Sequence, residues 1–262
     1  MNIRLDGKTA LVCGGSQGIG KASAIELSRA GASVILVARY EESLKIALAE
    51  LETSHHQTHT YICADFDHPK DVLKIITVLL EKTHPIHILI NNSGGPPPGP
   101  IINEDADSFR IAFNRHVINN QNMTKAVLPG MKDAGFGRII NIISTTVKEP
   151  LDGLGVSNTI RGAVASWAKT MAGECAPFGI TVNNILPGFT NTGRLQSLIN
   201  SIAEKENVSP DVIAERFEQS VPAKRFANPK ETASAVIFLA SEQASYITGI
   251  NLPVDGGRTK SL

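Results

Sequence analysis

The chain has 262 residues, 42% of them hydrophobic and 19% charged, and its 25 basic and 25 acidic side chains balance to zero net charge. That composition supports a sizeable core, and it offers neither a basic excess for nucleic acid nor a basic amphipathic segment for a membrane surface. Cys13, Cys63 and Cys175 are too few and too widely spaced for a disulfide framework or a zinc ribbon, so a reducing cytoplasm is the expected setting.

The N-terminal MNIRLDGKTALV lacks the apolar core of a secretion signal, so none is expected. No apolar run approaches the roughly 20 residues of a membrane span. TALVCGG reads as a buried strand entering a glycine turn, and GKASAIELSRAG as the helix that follows, closed by Gly31. SVILVAR is the next strand and EESLKIALAELETS the next helix. YICADF, IHILINN, GRIINIIS, ITVNNIL and NLPV continue the strands. PKDVLKIITVLLEKT, DADSFRIAFNRHVINNQNMTKAVLPGMKDAG, VSNTIRGAVASWAKTMAGECAP and PKETASAVIFLASEQAS supply the helices between them. Short strands that are apolar throughout are buried on both faces, as in a parallel sheet covered by helices. Strict β-α alternation then predicts a doubly wound α/β fold over a single dinucleotide-binding domain, residues 1–262. The rhythm breaks between Thr190 and Asn228, a polar and partly helical insertion after a strand. It is read either as a lid over a substrate at the carboxyl edge of the sheet or as a plain surface insertion.

Gly14-Gly15-Ser16-Gln17-Gly18-Ile19-Gly20 follows a predicted strand and opens a helix. There a phosphate meets free backbone N–H groups and the positive helix end, and glycines let it come close. The next strand ends at Ala38-Arg39. No carboxylate stands ready for the 2′-hydroxyl of NAD, while Arg39 is able to pair with the 2′-phosphate of NADP. NADP is therefore the expected cofactor and NAD the alternative, unless Arg39 is simply a surface arginine. Asp65 and Phe66 follow the third strand, where Asp65 is placed to accept from the adenine amino group. Asn91, Asn92, Ser93 and Gly94 end the fourth strand, where small residues admit the cofactor. The proline-rich Gly95–Pro100 stretch reads as a stiff wall.

Together these pieces resemble the short-chain dehydrogenase/reductase family over nearly the whole chain, and most nearly its 3-oxoacyl-acyl-carrier-protein reductase-like branch. VCGGSQGIG resembles the family's T-G-x-x-x-G-x-G with Cys13 in the threonine place, and NNSG resembles N-N-A-G. GRIINIIST, GITVNNILPGFTNT, which contains Pro187 and Gly188, and ITGINLPVDGG resemble the later segments. The resemblance implies a seven-stranded, mostly parallel Rossmann sheet, bound NAD(P), a small carbonyl or alcohol substrate, and a homo-oligomer, either tetramer or dimer.

It also implies an Asn-Ser-Tyr-Lys tetrad, and here the match is uneven. Ser144 takes the serine place. Thirteen residues on, where tyrosine belongs, stands Ser157, and four beyond that, where lysine belongs, stands Arg161. His116 takes the asparagine place, nine residues before Lys125 and twenty-eight before Ser144. A serine hydroxyl is a far weaker acid than a phenol near pKa 10, and it is too short to reach the same point, so a water would have to fill the gap. Arg161 keeps a positive charge but relays protons poorly. His116 is read either as a buried structural histidine or, if its ring faces Ser144, as the substitute proton donor. Glu149 and Asp152 are further candidates. His55, His56 and His59 lack a carboxylate or cysteine at ligand spacing, so no metal is expected. Three readings remain: an NAD(P)-dependent oxidoreductase with a non-standard proton donor, a catalytically silent dinucleotide-binding sensor or oligomer partner, or lyase or isomerase chemistry on the same scaffold.

Overall fold

The structure is a computed structural model and describes residues 3–83 and 85–261. Seven strands form one sheet: β1 Thr9–Cys13, β2 Ser33–Ala38, β3 His59–Cys63, β4 Ile88–Asn91, β5 Gly137–Ile142, β6 Ile180–Pro187 and β7 Asn251–Val254. Their order is β3-β2-β1-β4-β5-β6-β7, and every neighbouring pair is parallel. The seven-stranded doubly wound sheet expected from the sequence is present. Apolar residues alternate between two cores because successive strand side chains point to opposite faces. Ala10, Val12, Val34, Leu36, Ile88 and Ile90 face one core. Leu11, Cys13, Ile35, Val37, Leu89 and Ile139 face the other.

Helices cover both faces. α1 (Gly18–Arg29) and α2 (Glu41–Ala49) lie on the first face, with Ala24, Leu27 and Leu44 buried against it. α3 (Pro69–Leu80) lies on the second and buries Val72 and Ile76; Pro69 starts it, where the missing N–H costs nothing. The long helical segment predicted after Asp105 is divided in three: α4 (Ala106–Phe113), a π-helical turn at Asn114–Ile118, and α5 (Asn119–Asp133). α6 (Gly155–Cys175) carries Ser157 and Arg161 in its first two turns. The insertion holds α7 (Gly193–Glu206) and α8 (Pro210–Ser220), and α9 (Pro229–Ala240) returns to the first face, opened by an Asn228–Glu231 capping box. Leu195, Ile199 and Ile213 give the insertion a small core of its own with Phe189 and Phe217. A bridge between Thr190 and Ala227 closes its base.

Strand order reverses between β1 and β4, and in such sheets ligands bind outside the carboxyl ends at the reversal. The glycine turn after β1, the Asn92–Pro100 segment after β4 and the Ser144 segment after β5 all leave the sheet on that side.

Candidate active site

The glycine turn is shaped by close approach. Gly14 has φ +60, and a β-carbon on it would lie 2.6 Å from Asn92 Nδ2, whose amide reaches the Cys13 and Gly14 carbonyls at 3.3 and 3.4 Å. A β-carbon on Gly20 would lie 2.1 Å from the Gly14 carbonyl oxygen. These glycines let α1 start hard against β1 and β4. Gln17 precedes α1 in extended conformation without a side-chain cap, so the first N–H groups of the helix stay open to an anion. Ser16 is half-buried in this turn, and Ile19 packs against the first core. Burial pushes the Cys13 thiol up to about 12, which leaves it an inert packing residue.

Arg39 is exposed past β2, its guanidinium over the Tyr40 ring at 5.2 Å. Asp65 is half-buried and accepts from the Asp67 N–H at 3.0 Å, while the Phe66 carbonyl accepts from Asn119 Nδ2 at 2.7 Å. The Asn91 side chain lies within the sheet, at the end of β4. Its Nδ2 donates to Asn141 Oδ1 at 2.9 Å inside the sheet. The Gly188 N–H donates to the Val254 carbonyl at 3.0 Å, and a β-carbon on it would lie 2.7 Å from Asp255 Cα. Pro187 ends β6 on the same edge.

Ser144 stands at the end of β5. Its Oγ accepts from the Thr146 N–H at 3.2 Å, which leaves the hydroxyl proton free to donate outward. Arg161 comes off α6 and is 8% exposed, with Nη1 donating at 3.0 Å to the carbonyl of Ile142, two residues before Ser144. Burial, and then the charge of Arg194, lowers the guanidinium to about 10, so it stays cationic at neutral pH. Ser157 is half-buried, one turn before Arg161.

His116 sits in the π-helical turn, a local irregularity that recurs at functional sites. Its ring does not meet Ser144. Nδ1 pairs with Ser93 Oγ at 2.8 Å, and the buried Nε2 has no hydrogen-bond partner among the described residues. Burial, then Arg161 and Arg115, holds the imidazole well below its ordinary range, so the ring is neutral. Glu149 is engaged elsewhere: its carboxylate accepts the Lys260 and Ser261 N–H groups at 2.6 and 2.8 Å. Asp152 is exposed before α6. His55 Nδ1 contacts Arg4 at 3.2 Å and His59 Nδ1 takes the Val34 N–H at 3.1 Å. Among the described residues no His, Cys, Asp or Glu group of three is placed to hold a metal, and no helix is long and apolar enough to cross a membrane.

Residues 14–259 match a family model described as enoyl-(acyl carrier protein) reductase. The chain belongs to the short-chain dehydrogenase/reductase family. The NADPH-dependent reductase BacG of Bacillus subtilis is 30% identical over 97% of this chain and 99% of its own length. The 3-oxoacyl-[acyl-carrier-protein] reductase FabG of Vibrio harveyi is 35% identical over 97% of this chain and 98% of its own. The L-sorbose reductase of Gluconobacter frateurii, solved with NADPH and L-sorbose, superposes with a TM-score of 0.93 at 28% identity over 100% of both chains.

Within this oxidoreductase family the chain keeps the scaffold. The structure also brings in residues that motif reading passed over. Thr192 abuts the glycine turn, since a β-carbon on Gly18 would lie 3.3 Å from its Cγ2. Two residues later, Arg194 reaches back across the cleft and donates to the Pro96 carbonyl at 2.6 Å. Its signal in the sequence is only a lone cation at the start of the insertion, and its partner lies nearly a hundred residues earlier.

Proposed function

We propose that the protein is an NADP-dependent oxidoreductase acting on a carbonyl or alcohol, with Ser144 orienting the substrate oxygen and Arg161 stabilising its negative charge. The observation that carries this reading is the Ser144 hydroxyl, which accepts from the Thr146 N–H, two residues beyond the Ile142 carbonyl that anchors the buried Arg161. BacG is NADPH-dependent and the L-sorbose reductase was solved with NADPH, which supports the choice of cofactor, as does exposed Arg39, which has no acidic partner among the described residues.

The chain fits the dinucleotide. The uncapped start of α1 at Gly18-Ile19-Gly20, with Ser16 and Gln17 before it, would hold the pyrophosphate. Arg39 would meet the 2′-phosphate, Asp65 beside Phe66 the adenine, Ser93 and Gly94 the ribose edge, Arg161 the nicotinamide ribose, and Pro187 the nicotinamide side. Bound there, a nicotinamide supplies or removes a hydride. Ser144 Oγ then donates to the carbonyl oxygen, and the Arg161 guanidinium offsets the charge that grows on it. The proton comes from a water in the space a tyrosine ring would fill above Ser157. His116, neutral and bonded to Ser93, positions the β4 end rather than acting as the acid. The insertion at 190–228 serves as the substrate lid.

One observation favours a silent cofactor-binding protein instead: Ser157 is short and half-buried, so its own hydroxyl falls short of the place of the family's phenol. Two measurements decide between these. In a fluorescence titration, NADPH binds the wild type, and Arg39→Ala weakens NADPH at least tenfold while leaving NADH unchanged. Steady-state oxidation of NADPH with a panel of aldehydes and ketones shows turnover. Cofactor binding without turnover of any carbonyl or alcohol would select the silent reading.

A further inference from the structure

Arg161 and Arg194 approach the same point from opposite walls of the cleft. A β-carbon on Gly95 would lie 3.6 Å from Arg161 Nη2 and 3.7 Å from Arg194 Nη2. Each guanidinium makes one hydrogen bond, to the Ile142 and Pro96 carbonyls respectively, and neither has an acidic partner among the described residues. The neighbouring Arg115 is different, because Asp67 holds it with bonds of 2.6 and 2.8 Å. Arg194 is more exposed than Arg161, at the mouth of the cleft, so it is able to turn toward a ligand.

Three features make this an anion site. Arg161 is more than nine-tenths buried, and its Nη2 finds no protein acceptor. An uncompensated charge at that depth is costly unless a ligand pairs with it. Arg194 is the second residue of α7, at the positive end of a helix dipole, where a cation is disfavoured and an anion favoured. The two charges also repel: burial and then Arg194 lowers Arg161, while burial and then Arg115 lowers Arg194. A carboxylate between them would relieve all three costs, and guanidinium forks match carboxylate geometry.

The position separates this pair from the cofactor's phosphates. The pyrophosphate place lies at the start of α1, against Thr192. Arg194 turns away from it, toward the Pro96 wall. That wall runs alongside the start of α6 through the Gly99 and Gly155 backbone bonds of 2.8 and 3.2 Å to Gly153 and Gly99. Arg161, in turn, is anchored two residues before Ser144.

We infer that Arg194 and Arg161 grip a carboxylate carried by the substrate, so that the substrate is an oxo acid and the product the matching hydroxy acid. This rests on the oxidoreductase reading above. The carbonyl carbon gains a hydride from NADPH, its C=O electron pair moves to oxygen, and the oxygen takes a proton from water. The products are the hydroxy acid, NADP+ and hydroxide.

The test uses oxamate and malonate, carboxylates that accept no hydride, titrated calorimetrically into the NADP+-loaded protein. At least one binds saturably to the wild type. Arg194→Met weakens it at least tenfold and leaves NADPH affinity within twofold, and Arg194→Lys recovers part of the loss. Circular dichroism confirms that both variants fold. With NADPH, 2-oxobutanoate is turned over at least tenfold more efficiently than 2-butanone, and Arg194→Met raises KM more than it lowers kcat. Two results overturn the inference: neither carboxylate binds the wild type, or Arg194→Met weakens NADPH tenfold while carboxylate binding is unchanged, which assigns the pair to the cofactor's phosphates. Carboxylate binding without any turnover upholds the anion site and removes the oxidoreductase reading. Turnover of 2-butanone without carboxylate binding does the reverse.

Discussion

His116 shows how a residue's environment decides its chemistry. An imidazole is the usual choice for moving protons near neutrality, yet this one is 2% exposed, hydrogen-bonded to Ser93, and close to two arginines. All of these except the hydrogen bond favour the neutral ring. The unfolded chain releases the imidazole to its ordinary value of about 6.5. Below that pH the unfolded state binds a proton that the native state refuses, so stability is full above about 6.5 and falls as the medium becomes more acidic. His116→Asn removes this term. The wild type should lose melting temperature between about pH 6.5 and 5 more steeply than His116→Asn, as scanning calorimetry at stepped pH would show. Equal slopes would mean the ring is protonated in the native state. The registers of Ser144, Ser157, Arg161 and His116 were legible in the sequence, because a strand end and a helix start fix them relative to the chain. The direction of the His116 ring was not. It depends on the π-helical turn and on Ser93, twenty-three residues away.

At the scale of elements, the strands carry a feature that reading each segment alone does not reveal. Asn91, Asn141, Asn184 and Asn251 are register partners on β4, β5, β6 and β7. Their side chains form a chain of amide bonds of 2.9, 2.8 and 2.8 Å across the sheet. Asn91 donates, Asn141 and Asn184 each accept and donate, and Asn251 accepts, so the ladder pins the register of β4 to β7. Asn141→Leu would leave the Asn91 amide and the Asn184 carbonyl unpaired in the interior, a loss of about 2–4 kcal/mol. Urea unfolding should show a lower midpoint with an unchanged slope; an unchanged midpoint would mean that water or a neighbour replaces the ladder. In the sequence, NN before a turn reads as a cofactor wall. Only the parallel register shows that the Asn91 amide is also the first rung of this ladder. The strands and helices themselves were legible from apolar runs and period, whereas the Arg194–Pro96 contact was not, because it joins the loop after β4 to the start of α7, 98 residues on in the sequence.

For the whole molecule, the sheet order places three loop ends at one edge: the glycine turn after β1, the Pro-rich wall after β4 and Ser144 after β5, with α7 above them. The alternation of elements predicted this architecture, since a parallel doubly wound sheet puts its reversal, and hence its cleft, between β1 and β4. What the fold cannot fix is the reaction, because one scaffold carries many chemistries. The account therefore stands on hydride transfer to a carbonyl held by Ser144. The direct measurement is mass spectrometry of the alcohol formed when NADPH, deuterated in the transferred position, is incubated with a mixed panel of aldehydes, ketones and oxo acids. The wild type should place one deuterium on the former carbonyl carbon of at least one product, and Ser144→Ala should lower that rate at least a hundredfold. Absence of label from every product, or an undiminished rate in Ser144→Ala, would contradict the account.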